Sequence, residues 1–326
     1  MLSRGSFSVR HWWLASVGML LLAGCGRNEP PVLQGAATEP AAAVRQLADY
    51  LHKGDLVGFS RAAVPPSTHQ ALGQAWAEGH SLWPLTGLPL DEHLPGLLEV
   101  LAAEDAEAEL QRVFKAQFEG QATNLRQTAH SLGMFGAQYV GHQGDYSELQ
   151  REHYRQLVLG LSRWAGQAPL SDPALAQATI AGLTKAAHSS GLDGAAALQA
   201  AGMEPALERL SGLQLALFEM FARYGLDLRQ SLAGLQVGLL QEQGDQALVQ
   251  VQYTLGEQAV SFKAQMRRVD GRWYMQQNLD DAQRILDVAA QARQLQAPPA
   301  AAEGSDDAGT EPAQTDVQDA QMASGP

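Results

Sequence analysis

The feature that most limits how this chain can fold is a stretch of alternating apolar residues near its end, positions 235–275. Leu235, Val237 and Leu239 alternate with other residues, as do Val249, Val251 and Tyr253, then Val260, Phe262, Ala264 and Met266, and finally Trp273 and Met275. A period of two puts each set on one side of a strand. Gly244-Asp245, Gly256-Glu257 and Asp270-Gly271 separate the runs, and Asp-Gly is a strong two-residue hairpin signal. The pattern predicts a four-stranded antiparallel meander over 232–277, with Gln250, Gln252, Lys263, Gln265 and Arg267 on the opposite face. Its apolar face has to lie on helices. A final helix over 278–296 is expected, capped by Asn278, with Asp280 and Asp281 in its first turn and Ile285, Leu286 and Val288 on its apolar side.

Upstream the period changes to that of helices. Residues 125–159 align without a gap to 183–217: Ala129 with Ala187, His130 with His188, Ser131 with Ser189, Gly133 with Gly191, Gly136 with Gly194, and on through Gly144 with Gly202 to Leu159 with Leu217. Each copy reads as a helical hairpin, so 101–225 is expected to hold a duplicated pair. Leu110, Phe114, Phe118, Leu125 and Leu132 share one stripe, which predicts a single long amphipathic helix. The acids at its start, Glu104, Asp105, Glu107 and Glu109, read as a solvated face helped by the helix dipole. Across 41–100, Val44, Leu47 and Leu51 mark a first helix that ends at Gly54, and Asp55 opens a second, which Pro65-Pro66 stops. Ser67 is expected to cap a third helix, carrying Leu72 and Trp76 to the core. Residues 81–95, broken by prolines, read as an irregular loop whose Trp83 must pack on something. The fold class is therefore α+β, predominantly helical.

The chain holds one cysteine among 326 residues, which excludes an intrachain disulfide or a Cys-rich zinc site. That residue, Cys25, ends Leu22-Ala23-Gly24-Cys25 behind Arg4, Arg10 and an apolar run too short to span a bilayer. The segment resembles the lipobox of bacterial lipoprotein precursors. The resemblance implies that residues 1–24 are a signal peptide to be removed, and that Cys25 is lipidated and anchors the chain to the bilayer. With Gly26 rather than Asp after the cysteine, it also implies the periplasmic leaflet of the outer membrane, the inner membrane being the alternative. Three acyl chains, as that family carries, would hold permanently where one does not. Residues 25–40, with Pro30, Pro31 and Pro40, read as a tether, 41–296 as the folded domain, and 297–326 as a disordered acidic tail. A net charge of −13 argues against nucleic acid and anionic surfaces as partners.

Nucleophile elbows, P-loops, dinucleotide glycine patterns and His-Glu-x-x-His are all absent from the sequence, and no cofactor is expected. The repeated His130 and His188 are candidate metal or anion ligands, yet a histidine before Gly133 or Gly191 reads better as a helix-end residue facing the dipole. His142, Asp145, Glu148, Glu152 and His153 form a second polar group. There Asp145 reads as an N-cap and His153, in stripe with Leu149, Leu157, Leu161 and Trp164, as a satisfied boundary histidine. The Lys53-Gly54-Asp55 turn and the Val269-Asp270-Gly271-Arg272-Trp273-Tyr274 hairpin resemble the ends of a nuclear-transport-factor-like cone fold, which implies a pocket. The expectation is a non-enzymatic, lipid-anchored protein that serves a periplasmic protein partner or envelope maintenance. The alternatives are a small-ligand binder with a pocket between meander and helices around Trp83, Trp273 and Tyr274, and a metal-dependent hydrolase using His130 and His188.

Overall fold

A computed structural model describes residues 37–85, 93–142 and 146–296. Twelve helices and four strands follow in order among them: α1 Pro40–Lys53, α2 Leu56–Ala63, α3 Pro66–Ala77, α4 Leu94–Ala102, α5 Ala106–Gln117, α6 Ala122–His142, α7 Glu148–Gln167, α8 Pro173–Ser190, α9 Ala195–Ala201, α10 Met203–Arg223, α11 Leu228–Ala233, β1 Gln236–Gln243, β2 Gln246–Leu255, β3 Gln258–Val269, β4 Arg272–Met275 and α12 Gln276–Gln296. The predominantly helical α+β class, the C-terminal four-stranded meander and the final helix are all present. Of the two expected hairpins, 125–159 falls on α6 and α7, whereas 183–217 is divided among α8, α9 and α10. The sheet runs β1-β2-β3-β4, antiparallel throughout.

Local chemistry explains most boundaries. Gly54 closes α1 in the left-handed conformation (φ 74°), and Asp55 opens α2 by accepting from the Gly58 amide at 2.6 Å. Four expectations need correction. The stripe from Leu110 to Leu132 is not one helix, because the chain breaks between α5 and α6 with Gly120 at φ 74°. Ser67 lies inside α3, whose first turn begins with Pro66, a residue that needs no amide partner there. Asn278 is likewise inside α12, which begins directly where β4 ends. The meander begins at Gln236 rather than at 232, because a short helix, α11, runs to Ala233, capped by Asp227, which accepts from the Gln230 amide. Asp145 lies outside the described residues. The cap of α7 is Ser147, paired with Gln150 in a reciprocal capping box.

Three apolar clusters hold the described residues together. The largest joins α1–α4 and α8–α10 through Leu47, Leu72, Trp76, Leu98, Leu198 and Leu207, with Ala282 of α12. The second lies under α1, where Ala43 and Val44 meet Val237, Val249, Val251, Ala264, Met266 and Trp273 on the sheet's apolar face. In the third, Leu226, Leu255 and Val260 meet Leu157 and Trp164 of α7. Leu239 departs from the alternation and is exposed beside a bulge between Leu239 and Gln241, a device that twists an edge strand.

Helix α7 does two jobs. Strand β4 pairs only with the last residues of β3, so the rest of that edge needs another partner. The Gln156 amide supplies it: Nε2 donates to the Ser261 carbonyl at 3.0 Å, and the Ser261 amide donates to Oε1 at 2.8 Å. On its other side α7 carries α6, which makes no other extensive contact among the described residues. The crossing is close because Gly133 and Gly136 face Ser162 and Val158, and Ser162 Oγ donates to the Ala129 carbonyl at 2.9 Å.

Candidate functional site

The two histidines of the repeat occupy different environments. His188 stands in the last turn of α8, its Nε2 3.2 Å from the Ala103 carbonyl, and Gly191 ends the helix at φ 61°. That is a helix-end residue, as the sequence predicts. His130 is not: α6 runs past Gly133 and Gly136 to His142, leaving His130 exposed in mid-helix. Gly133 is there for close packing, not for a turn. Helices α6 and α8 share no extensive contact, and no group of three or more His, Cys, Asp or Glu fit to hold a metal ion occurs among the described residues.

A constellation that the sequence gives no hint of is Ser60, His69 and Glu204. His69 Nε2 lies 3.1 Å from Ser60 Oγ and 3.8 Å from Glu204 Oε1, which at first sight is a serine, a base and an orienting carboxylate. The geometry is wrong for nucleophilic catalysis. Serine and carboxylate both address the same ring nitrogen, whereas the triad logic needs them on opposite ones. Ser60 Oγ donates its proton to the Val57 carbonyl at 2.8 Å, is fully buried, and so accepts from His69 rather than giving to it. Glu204 is held by a two-pronged bond from Arg61, at 2.7 and 2.6 Å, which lowers its carboxyl below the usual range. Burial lowers the His69 pKa against the opposing pull of the Glu204 carboxylate, which favours the neutral ring. The set ties α2, α3 and α10 together.

The expected pocket residues are consumed by packing. Trp83 joins the helical cluster, and Trp273 lies under α1 with the Arg268 guanidinium 5.4 Å from its ring. Tyr274 is buried and faces the other side of β4. A cleft between meander and helices exists elsewhere. It measures about 530 Å³ and lies among α7, α11 and the β2–β3 turn, with Arg163, Trp164, Gln167, Gln230, Ser231 and Glu257 on its walls. The Trp164 indole is fixed by donating to the Tyr224 carbonyl at 2.8 Å, and Gly160 leaves room for Leu255 on the floor. Only the Gly256-Glu257 turn signal pointed to this place in the sequence.

His153 sits at the second junction of α7 with the sheet. Its ring stacks on Phe262 with centroids 3.8 Å apart, and Nε2 lies 3.1 Å from the Tyr253 hydroxyl. Burial pushes the His153 pKa down to about 4 and raises that of Tyr253. The neutral ring is a boundary histidine, satisfied by hydroxyl and aromatic face.

The outer face of α6 exposes a run of large apolar side chains. Leu132, Met134, Phe135 and Tyr139 are 64%, 59%, 68% and 44% exposed, and the rings of Phe135 and Tyr139 stack at 6.4 Å. Single exposed apolar residues mean little, but a contiguous patch marks an interaction surface. No protein-family model matches the chain, and neither a curated protein nor a solved structure matches it significantly.

Proposed function

We propose that this chain is a lipid-anchored protein of the periplasm, held at the outer membrane through Cys25, that performs no chemistry and offers its domain to a protein partner or to envelope maintenance. The observation that carries the interaction half is the exposed apolar face of α6, a helix whose only extensive contact among the described residues is with α7. The lipobox-like Leu22-Ala23-Gly24-Cys25, which lies outside the described residues, supports the anchor. Among the described residues no helix is long and apolar enough to cross a membrane. Palmitate fed to a bacterial host should label the unaltered chain and not Cys25→Ala; equal labelling of both defeats the anchor. A photo-crosslinker at Phe135 should form protein adducts that one at Val288, exposed on α12, does not. Equal patterns at the two sites defeat the interaction surface.

The cleft of α7, α11 and the β2–β3 turn favours a second reading, a small-ligand binder, since its volume falls within the roughly 300–1,000 Å³ of ligand sites. Under this reading a ligand-induced rise in melting temperature disappears in Gln230→Leu; a rise that persists removes the cleft from consideration.

A further inference from the structure

We infer that the partner of the α6 face is a second copy of this chain, so that two α6 helices lie against one another across a two-fold axis. This rests on the reading that the face is an interaction surface. The exposed side chains form one arc of the helix: Met134, Phe135, Tyr139 and Leu132, with the exposed Thr128, Ser131 and Gln138 between and beside them. Gly133, Gly136 and Val140 are turned the other way, to α7 or away from solvent. Because α7 is the only extensive packing partner of α6 among the described residues, the opposite face of α6 is open there to a helix from another copy.

Area and charge both favour a copy. A large side chain such as an aromatic buries about 150–250 Å², so the four exposed ones leave roughly 400–500 Å² uncovered per chain. A two-fold pair doubles that, and the flanking polar residues carry it past the approximately 1,000 Å² that a specific contact needs. A self-matching patch of this kind closes at two copies. Two chains of net charge −13 repel wherever their carboxylates approach. Helix α6 contains no Asp or Glu along its 21 residues, so contact there sets no carboxylates of the two helices against each other. A bilayer is a poorer match: surface-lying helices flank their apolar side with Lys and Arg, whereas α6 has Arg126 alone and otherwise Thr, Ser, Gln, Asn and His.

The proposed lipidation occupies the chain's single native sulfur, which makes the test direct. In the full chain with Cys25 intact, Ser131→Cys or Gln138→Cys should form, well above the unaltered chain, a disulfide-linked species of twice the chain mass under mild oxidation in cells. Val288→Cys on α12 should not. Adding Phe135→Glu to the more reactive variant should cut the linked fraction at least tenfold, while Val288→Glu leaves it unchanged. Phe135 faces away from α7, so its replacement spares the fold, and an unchanged circular dichroism melt verifies this. Linkage no greater than at Val288, or linkage indifferent to Phe135→Glu, overturns the inference. If linkage fails while the photo-crosslinker at Phe135 still captures a different protein, the self-contact is wrong and the interaction surface stands. If both fail, the surface itself is wrong.

Discussion

Gly133→Ala is the sharpest test of the packing described here, because the same substitution elsewhere in a helix should help. Replacing glycine by alanine inside an exposed helix gains about 0.5–1 kcal/mol from reduced chain entropy. At Gly133 the new β-carbon would stand 2.0 Å from Ser162 Oγ and 2.3 Å from Ser162 Cβ. Rotating the hydroxyl away relieves only the first contact and gives up its bond to the Ala129 carbonyl. The second contact involves the β-carbon itself, so the two helix axes must separate by about 1 Å to reach ordinary contact distance. Overpacking of this kind costs about 1–3 kcal/mol, and the lost hydrogen bond about 1 more. The net expectation is a loss of roughly 1–3 kcal/mol. It falls on the docking of α6, because α6 has no second extensive contact among the described residues. Amide hydrogen exchange across 122–142 should therefore speed up roughly tenfold or more, while the helical cluster around Trp76 and Leu198 keeps its protection. Ser162→Gly in the same chain should restore most of the loss, with a coupling visible in a double-mutant cycle. A Gly133→Ala chain as stable as the original, or one not rescued by Ser162→Gly, refutes the close crossing. The repeat partner gives the contrast: Gly191 has nothing within 4 Å of a new β-carbon but sits at φ 61°. Gly191→Asn should be tolerated better than Gly191→Ala, since Asn accepts the left-handed region.

Three further outcomes follow from the same contacts. The His153 pKa, lowered in the folded chain to about 4, makes its contribution fully present above the unfolded value of about 6.5 and lost as pH falls from there to 4. Denaturation between pH 6.5 and 4.5 should show stability falling by at most about 1.4 kcal/mol per pH unit from this group, roughly 2 kcal/mol in all after allowance for partial exposure; His153→Phe should flatten the slope, though not abolish it, because His69 is shifted the same way. Gln156→Leu strips the Ser261 amide and carbonyl of their side-chain partner and should cost about 1–3 kcal/mol by urea denaturation; a neutral result would show that water serves that edge equally well. Any hydrolysis of an activated ester by the chain should be unchanged in Ser60→Ala, and a clear loss would reinstate Ser60 as a nucleophile against the geometry of its hydrogen bond to Val57.

What the sequence discloses about this fold is what depends on near neighbours in the chain. The meander was legible because alternation and the Gly and Asp-Gly turns are local signals, and the Gly54-Asp55 junction because one residue stops a helix and the next starts one. Gly133 carries the wrong local signal because it sits in the same words as Gly191, Ala-His-Ser-x-Gly, and the distant Ser162 tells the two roles apart. The same blindness applies to the aromatic candidates. Trp83, Trp273 and Tyr274 have the composition of a pocket wall, and whether such a ring lines a cavity or fills one is decided by residues far away in the chain. The cleft beside Trp164 is not legible in the sequence for the same reason, since α7, α11 and the β2–β3 turn supply it from three separate places.

Helix α7 links the two surfaces that matter most for any function of this domain. His153, Gln156, Gly160 and Trp164 engage the sheet or the cleft, while Arg151, Val158 and Ser162 carry α6, Arg151 by donating to the Val140 carbonyl at 3.0 Å. Both sides include small residues at the closest approaches: Gly160 leaves Leu255 and Gln258 just enough room, and Gly133 does so for Ser162. Because α6 has no other extensive contact among the described residues, a shift of α7 against the sheet carries α6 along as a body and leaves the crossing at Gly133 and Ser162 unchanged. Coupling between two sites needs a contact that differs between their states, and the seat of α6 supplies none. Filling the cleft with Gly160→Leu should therefore leave the exchange of amides in α6 close to that of the original chain, and a roughly tenfold change there would show that α6 is held by more than α7.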